Sequence, residues 1–324
     1  MSGAGAGGPD PGVSGAVGAR SSRTVGVIGG GRMGAGIAHA FLLAGSAVIV
    51  VERDEASADA ATTRIRDAVA ASVERGAGLP PEGLLTVTVD WEALAGSDLV
   101  VEAVPEQLEL KVDALRHAES LLDDDAVLAT NTSSLSIDTL AETLTRPAAF
   151  LGMHFFNPVP ASALVEVVVG PATARATADA ARDWVETIGK TAVVVRDSPG
   201  FASSRLGVLL GLEAIRMVEE GVASPSDIDA AMVLGYKHPV GPLRLTDIVG
   251  LDVRLDIAEY LSGTLGERFR PPELLRRMVA EGRLGRKSGA GFYEWAADTP
   301  ATAAGAPPPA AAAPPTAPGA PERR

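Results

Sequence analysis

The 324-residue chain contains no cysteine. Disulfides, thiolate nucleophiles and cysteine-ligated metals are therefore excluded. Its 4 histidines, His39, His117, His154 and His238, are scattered rather than spaced as metal ligands, so no metal site is expected. Positive charge is scarce: 28 Lys and Arg face 41 Asp and Glu, for a net charge of -13. That balance argues against a general nucleic-acid surface and favours a soluble protein. No apolar run approaches the roughly 20 residues needed to span a bilayer, so no membrane partner is expected. Residues 1–22 lack the charged start and continuous apolar centre of a signal peptide, and the expected compartment is the cytoplasm.

What the chain does contain divides it. Residues 1–22 are mostly Gly, Ala and Ser and read as a disordered leader, and residues 296–324 form an Ala/Pro tail that cannot bury a core. The length between them is sufficient for two domains.

One stretch organises the rest, TVGVIGGGRMGAGIAHAFLLAGSAVIVVERD at residues 24–54. A short apolar run enters the turn Gly29-x-Gly31-x-x-Gly34; helical spacing follows, and a second apolar run ends at Glu52. Strand, glycine turn, helix, strand and acid in this register suit a dinucleotide. Gly29 permits the tight turn, Gly31 lets a pyrophosphate reach the amides at the helix N-terminus, and Gly34 lets helix and strand pack closely. Glu52 can accept hydrogen bonds from both ribose hydroxyls, and its charge opposes a 2'-phosphate, so NAD is favoured over NADP.

Further apolar runs lie at 85–89, 98–104, 126–129, 150–156, 164–169 and 191–195, with helical spacing at 57–75 and 173–188. Strands alternating with helices imply an α/β, Rossmann-type, doubly wound and mainly parallel sheet. From Pro199 onward only helical segments appear, near 201–220, 225–234, 243–263 and 271–281. The expected arrangement is a nucleotide-binding domain at 23–198 followed by an all-helical domain at 199–295. Asp247 and the Gly241-Pro242 turn read as structural features of the latter.

Open parallel sheets bind ligands beyond the carboxyl ends of their strands. The polar residues there are Glu102, Glu106 and Lys111, then Asn131-Thr132-Ser133-Ser134, then His154 and Asn157. His154 sits in LGMHFFNPVP, 12 positions before Glu166 in LVEVV. An imidazole suits the base that removes an alcohol proton as hydride leaves carbon. A carboxylate on its other nitrogen would fix the tautomer and stabilise the imidazolium. The alternative is a core histidine beside aromatics and a glutamate paired with a neighbouring cation.

The glycine turn, VVEAVPEQLELK, NTSSLS, GMHFFNPVP, LVEVV, DSPGF, HPVGPLRLTDIVGLD and GRKSGAGFYEW occur in the order and approximate spacing of the L-3-hydroxyacyl-CoA dehydrogenase family. The chain resembles that family from about Val25 to Trp295. The resemblance implies a Rossmann-type domain and a helical domain that commonly forms a homodimer contact. It implies His154 as catalytic base, Glu166 as its carboxylate, and Ser133 beside the substrate's reacting oxygen and the cofactor. It places Glu106, Lys111 and Asn157 near the nicotinamide side of NAD and Lys287 at the cofactor site. Lys111 could instead be a solvated helix residue, and Lys287 could support a turn. The helix after the second strand would put Arg64 or Arg66 near CoA phosphates, or simply in solvent.

The sequence departs from the family once. Where the family reads PGF-x-x-N-R, with the asparagine facing the substrate, this chain has Ser204 before Arg205. A hydroxyl is shorter and lacks the amide's two-sided bonding, which bears on acyl specificity. The resemblance implies NAD-dependent interconversion of (S)-3-hydroxyacyl-CoA, 3-hydroxybutyryl-CoA first, and 3-oxoacyl-CoA. Other readings are the same reaction on an acyl-carrier-protein thioester, a free hydroxy-acid dehydrogenase (a sugar acid or carnitine), a non-catalytic NAD-binding protein, and a pure interaction module.

Overall fold

The computed structural model describes residues 23–295, so the expected leader and tail lie outside the described residues. The sheet region contains β1 (Thr24–Ile28), α1 (Arg32–Leu43), β2 (Ala47–Val51), α2 (Glu55–Glu74), β3 (Leu85–Thr88), β4 (Leu99–Glu102), α3 (Leu108–Leu121), β5 (Val127–Thr130), α4 (Ile137–Ala141), β6 (Phe150–Phe155), β7 (Leu164–Val169), α5 (Arg175–Thr187) and β8 (Thr191–Arg196). After it come α6 (Ser203–Glu219), α7 (Pro225–Ala230), α8 (Pro242–Val249), α9 (Leu251–Leu265) and α10 (Glu273–Ala280).

The strands form one sheet in the order β3-β2-β1-β4-β5-β6-β7-β8, and the pairs from β3 through β6 are parallel. The fold is thus the Rossmann-type, mainly parallel sheet that the alternating pattern predicts, with a helical C-terminal region. Strands β4 and β5 are buried along their whole length, as expected where helices cover both faces. The strand order reverses between β1 and β4, and the glycine turn leaves β1 at that switch point.

Several elements differ from the sequence reading. The single helix expected at 243–263 is two, α8 and α9, because Gly250 adopts φ 110° between them. The helix expected at 225–234 ends as an α-helix at Ala230 and continues as a π-turn over Ala231–Gly235. Helices α3 and α4 carry no clear periodicity in sequence. In α3 the reason is that Lys111 occupies a core position, where the apolar pattern would need a hydrophobic residue.

The chain forms two compact units. The first takes residues up to 131, with 141–167 and 172–193; the second takes 132–140, 168–171 and the chain from 194 onward. In the second, Val208, Leu212, Ile215, Leu243, Leu251 and Phe269 form the core. Asp247 is fully buried there and accepts hydrogen bonds from Phe292 N, Tyr293 N and Trp295 Nε1, each at 2.9 Å. Asp229 accepts from Leu243 N at 2.8 Å and Arg244 N at 2.9 Å, capping α8, and from the Tyr293 hydroxyl at 2.7 Å. Both aspartates hold the final segment onto the helices, so Asp247 is structural.

In the first unit, buried His39 on α1 meets Ser72 of α2, with Nε2 to Oγ at 2.9 Å. Its pKa lies below the ordinary 6.5 because burial, then the positive charges of Arg75 and Lys190, disfavour the imidazolium. A depressed folded-state pKa gives stability that is complete above pH ~6.5 and lost as pH falls through the folded value. Urea midpoints measured at neutral and mildly acidic pH should therefore fall more for the parent than for His39→Gln. Equal falls would show that His39 does not couple folding to pH.

Candidate active site

The first unit holds a dinucleotide cradle. Gly29 has φ 89°, and a Cβ there would stand 3.2 Å from the Ala103 carbonyl oxygen at the end of β4. A Cβ at Gly34 would lie 1.8 Å from the Gly29 carbonyl oxygen, a separation no side chain permits. At Gly31 the same construction meets nothing within 4 Å, so the turn is open on the side where a diphosphate would approach the helix N-terminus. Glu52 follows β2 and accepts from Gly30 N at 2.7 Å through Oε1. Arg64 of α2 donates to the Gly30 carbonyl at 2.5 Å. The Gly30 peptide is thus held from both sides. Arg64 is otherwise exposed, and this hydrogen bond ties one end of its guanidinium to the turn. Arg66 is exposed. These residues fit NAD: the glycines leave room, and a carboxylate stands at the strand end to receive a ribose.

Beyond β4 a buried charge pair organises the rim. Lys111 is 1% exposed, and its ammonium donates to Glu102 Oε1 at 2.8 Å, Glu102 Oε2 at 3.1 Å and the Val104 carbonyl at 3.2 Å. It also pairs with Glu106 Oε2 at 3.2 Å. Glu102 further accepts from Thr130 Oγ1 at 2.6 Å and Val104 N at 2.7 Å. Lys111 is therefore not a solvated helix residue, and its three protons are already directed at protein acceptors. Glu106 is partly exposed beside it.

His154 lies in β6 and Glu166 in β7. Nδ1 of the imidazole is 2.9 Å from Glu166 Oε2, with both side chains buried. The alternative in which Glu166 answers a lysine or arginine is thereby displaced. The Phe156 ring stands 4.5 Å from the imidazole, tilted by 50°. Nδ1–H donating to the carboxylate leaves Nε2 as the nitrogen that can accept a proton. Asn157 follows β6 and is exposed.

The other predicted residues belong to the second unit. Ser133 is half-buried in the turn before α4, where Thr132 Oγ1 accepts from Leu135 N at 2.9 Å. Ser204 is the second residue of α6 and half-buried. Lys287 pairs its ammonium with Asp252 at 2.5 Å, at the start of α9, which fits the turn-supporting alternative.

Glu102 and Asn131, expected only as polar residues of the rim, hold it together. For Glu102 the signal in the sequence is an acid ending an apolar strand, followed by a lysine at a core position of the next helix. Asn131 donates N–H to the Glu102 carbonyl at 2.8 Å and accepts from Phe155 N at 2.9 Å through Oδ1. That link is tertiary and has no signature in the chain.

Comparison with known proteins agrees with this geometry. Residues 24–198 match the family model described as 3-hydroxyacyl-CoA dehydrogenase, NAD binding domain, and residues 200–295 match its C-terminal domain. A probable 3-hydroxybutyryl-CoA dehydrogenase of Deinococcus radiodurans is 43% identical over 275 residues, 83% of this chain and 99% of that one. A 3-hydroxybutyryl-CoA dehydrogenase of Mycobacterium tuberculosis is 43% identical over 279 residues, 84% of this chain and 98% of its own. The crystal structure of (S)-3-hydroxybutyryl-CoA dehydrogenase PaaH1 from Ralstonia eutropha superposes with a TM-score of 0.80 at 37% identity, covering 85% of this chain and 100% of that one.

Lys111→Met should leave the Glu102 carboxylate buried without its cation, at a cost of about 3–5 kcal/mol in unfolding free energy. The double variant with Glu102→Gln should recover part of that loss. A urea midpoint unchanged in the single variant would remove the pair from the stability of the rim.

Proposed function

Since the chain belongs to the 3-hydroxyacyl-CoA dehydrogenase family, we propose that it interconverts short-chain (S)-3-hydroxyacyl-CoA, of the 3-hydroxybutyryl kind, and its 3-oxoacyl counterpart with NAD. The observation that carries this proposal is the buried His154–Glu166 pair in the same unit as a glycine cradle open at Gly31.

NAD, when bound, supplies the acceptor for hydride. Gly29, Gly31 and Gly34 shape the turn that receives its diphosphate, and Glu52 takes the ribose hydroxyls. Glu106, Asn157 and Ser133 serve the nicotinamide side, and Lys111 acts there by holding the Glu106 carboxylate. In oxidation, His154 Nε2 accepts the hydroxyl proton. The imidazolium keeps its Nδ1–H on Glu166, whose charge balances it inside a buried setting where such pairing is strong. The Ser133 hydroxyl steadies the substrate oxygen. In reduction, the same Nε2 returns the proton. We assign Lys287 to the turn beside Asp252 rather than to the cofactor.

Ser204 faces the acyl group in this proposal. A homodimer through the helical unit accompanies it, supported by Leu206, Leu209, Val249 and Val253, which leave apolar surface on α6, α8 and α9. Among the described residues no helix is long and apolar enough to cross a membrane, and a cytoplasmic setting is part of the proposal.

Assays of NADH formation with 3-hydroxybutyryl-CoA, the matching acyl-carrier-protein thioester and free hydroxy acids test carrier and substrate class. His154→Gln should lower kcat by about 10²–10⁴ while leaving the NAD dissociation constant near the parent value. Equal turnover in variant and parent would point to the non-catalytic NAD-binding alternative or to a different base. Ser204→Asn should shift relative rates across acyl groups; identical relative rates would separate Ser204 from specificity.

A further inference from the structure

Among the described residues one buried cation of the helical unit pairs with no carboxylate. Arg254, near the start of α9, is 5% exposed, and its Nε has no hydrogen-bond partner. Among the described residues no carboxylate pairs with it. Burial draws its pKa down to about 10, so it remains charged at neutral pH. Burying a cation without its counter-charge is costly, which leaves the site short of one anion.

Space for the guanidinium is built into α6. A Cβ at Gly207 would stand 3.4 Å from Arg254 Nη1, and one at Gly211 would stand 3.7 Å from its Cζ and Nε. Neither glycine has a positive φ, so backbone conformation does not require them. Each lowers helix stability relative to alanine. Their i, i+4 spacing aligns them on one face of the helix, and Ser204, three residues before Gly207, lies on that face too. Ser204, Gly207 and Gly211 thus share one face of α6, with the Arg254 guanidinium packed against the two glycines.

We propose that Arg254 is a specificity-determining residue that receives a carboxylate at the far end of the acyl group, so that the favoured substrate is a 3-hydroxyacyl thioester bearing a second, distal acid. The proposal rests on the reading above that Ser204 faces the acyl group. A planar guanidinium matches a carboxylate in two-point geometry, and the incoming anion supplies the charge the buried site lacks.

The test is a panel of 3-hydroxyacyl-CoA thioesters: 3-hydroxybutyryl-CoA, a dicarboxylic series of graded length, and the distal methyl ester of each dicarboxylic member. Because every member carries the same CoA, its phosphates contribute equally, and the ratio of kcat/KM for acid over ester isolates the distal charge. In the parent that ratio should reach about a hundredfold at the best-fitting length. It should fall towards one in Arg254→Met and recover partly in Arg254→Lys. A parent ratio near one at every length, or a ratio that survives in Arg254→Met, overturns the assignment. The parent ratio decides the matter alone should the methionine variant fail to fold. Absence of turnover with every thioester would reject the dehydrogenase reading itself, whereas turnover without preference for the acid would reject only the role of Arg254.

Discussion

The carboxyl rim of the sheet is fastened at Glu102. Its carboxylate gathers Lys111, Thr130 and the Val104 amide, and its main-chain carbonyl receives the Asn131 amide. Asn131 then grips Phe155 N, the peptide directly after His154. On the other flank, Gly29 lies against the Ala103 carbonyl, one residue past Glu102. The cradle and the imidazole are thus joined through one buried acid. A catalytic geometry held within tenths of an ångström needs this kind of support, because the base works only when its tautomer and direction are fixed beforehand.

The organisation of the first half was legible because each of its signals is local. Gly34 is required by its contact with Gly29, five residues earlier, and Glu52 is reached by counting along one strand-helix-strand unit. That His154 and Glu166 meet could not be told from spacing, since a β-strand neighbour cannot be assigned before the sheet order is known; the order β6-β7 brings them together. The contacts of Arg64 and Asn131 leave no trace in the sequence. Their partners, the Gly30 carbonyl and the Phe155 amide, are main-chain atoms that carry no identity in the sequence. Helix α3 was obscured for a related reason: Lys111 breaks the apolar stripe, and only the buried Glu102 explains why a lysine belongs there. The break at Gly250 shows the opposite failure. Helical spacing runs through it, and the positive φ that divides α8 from α9 leaves no mark on the pattern.

The buried charges fall into two kinds. Lys111 with Glu102, and His154 with Glu166, are answered inside their own unit at hydrogen-bond distance. Arg254 is not answered. Proteins tolerate interior ions when the pairing is complete, and an incomplete one marks a place where the fold has been shaped for something other than its own stability. Ser204 and the two glycines of α6 lie on the helix face next to Arg254, which is why the proposal places the acyl group there.

Asp247 anchors the segment Phe292–Trp295 to the helical unit. Three donors from that segment converge on one interior carboxylate, and Gly285 and Gly291 must lack side chains to let the chain close over it. The helical unit is therefore clasped from its own C-terminal edge, like a belt threaded through its buckle. Shortening the polypeptide ahead of Phe292 would strand a desolvated acid among hydrophobic helices, so Trp295 marks the smallest terminus from which this half of the molecule can hold its shape.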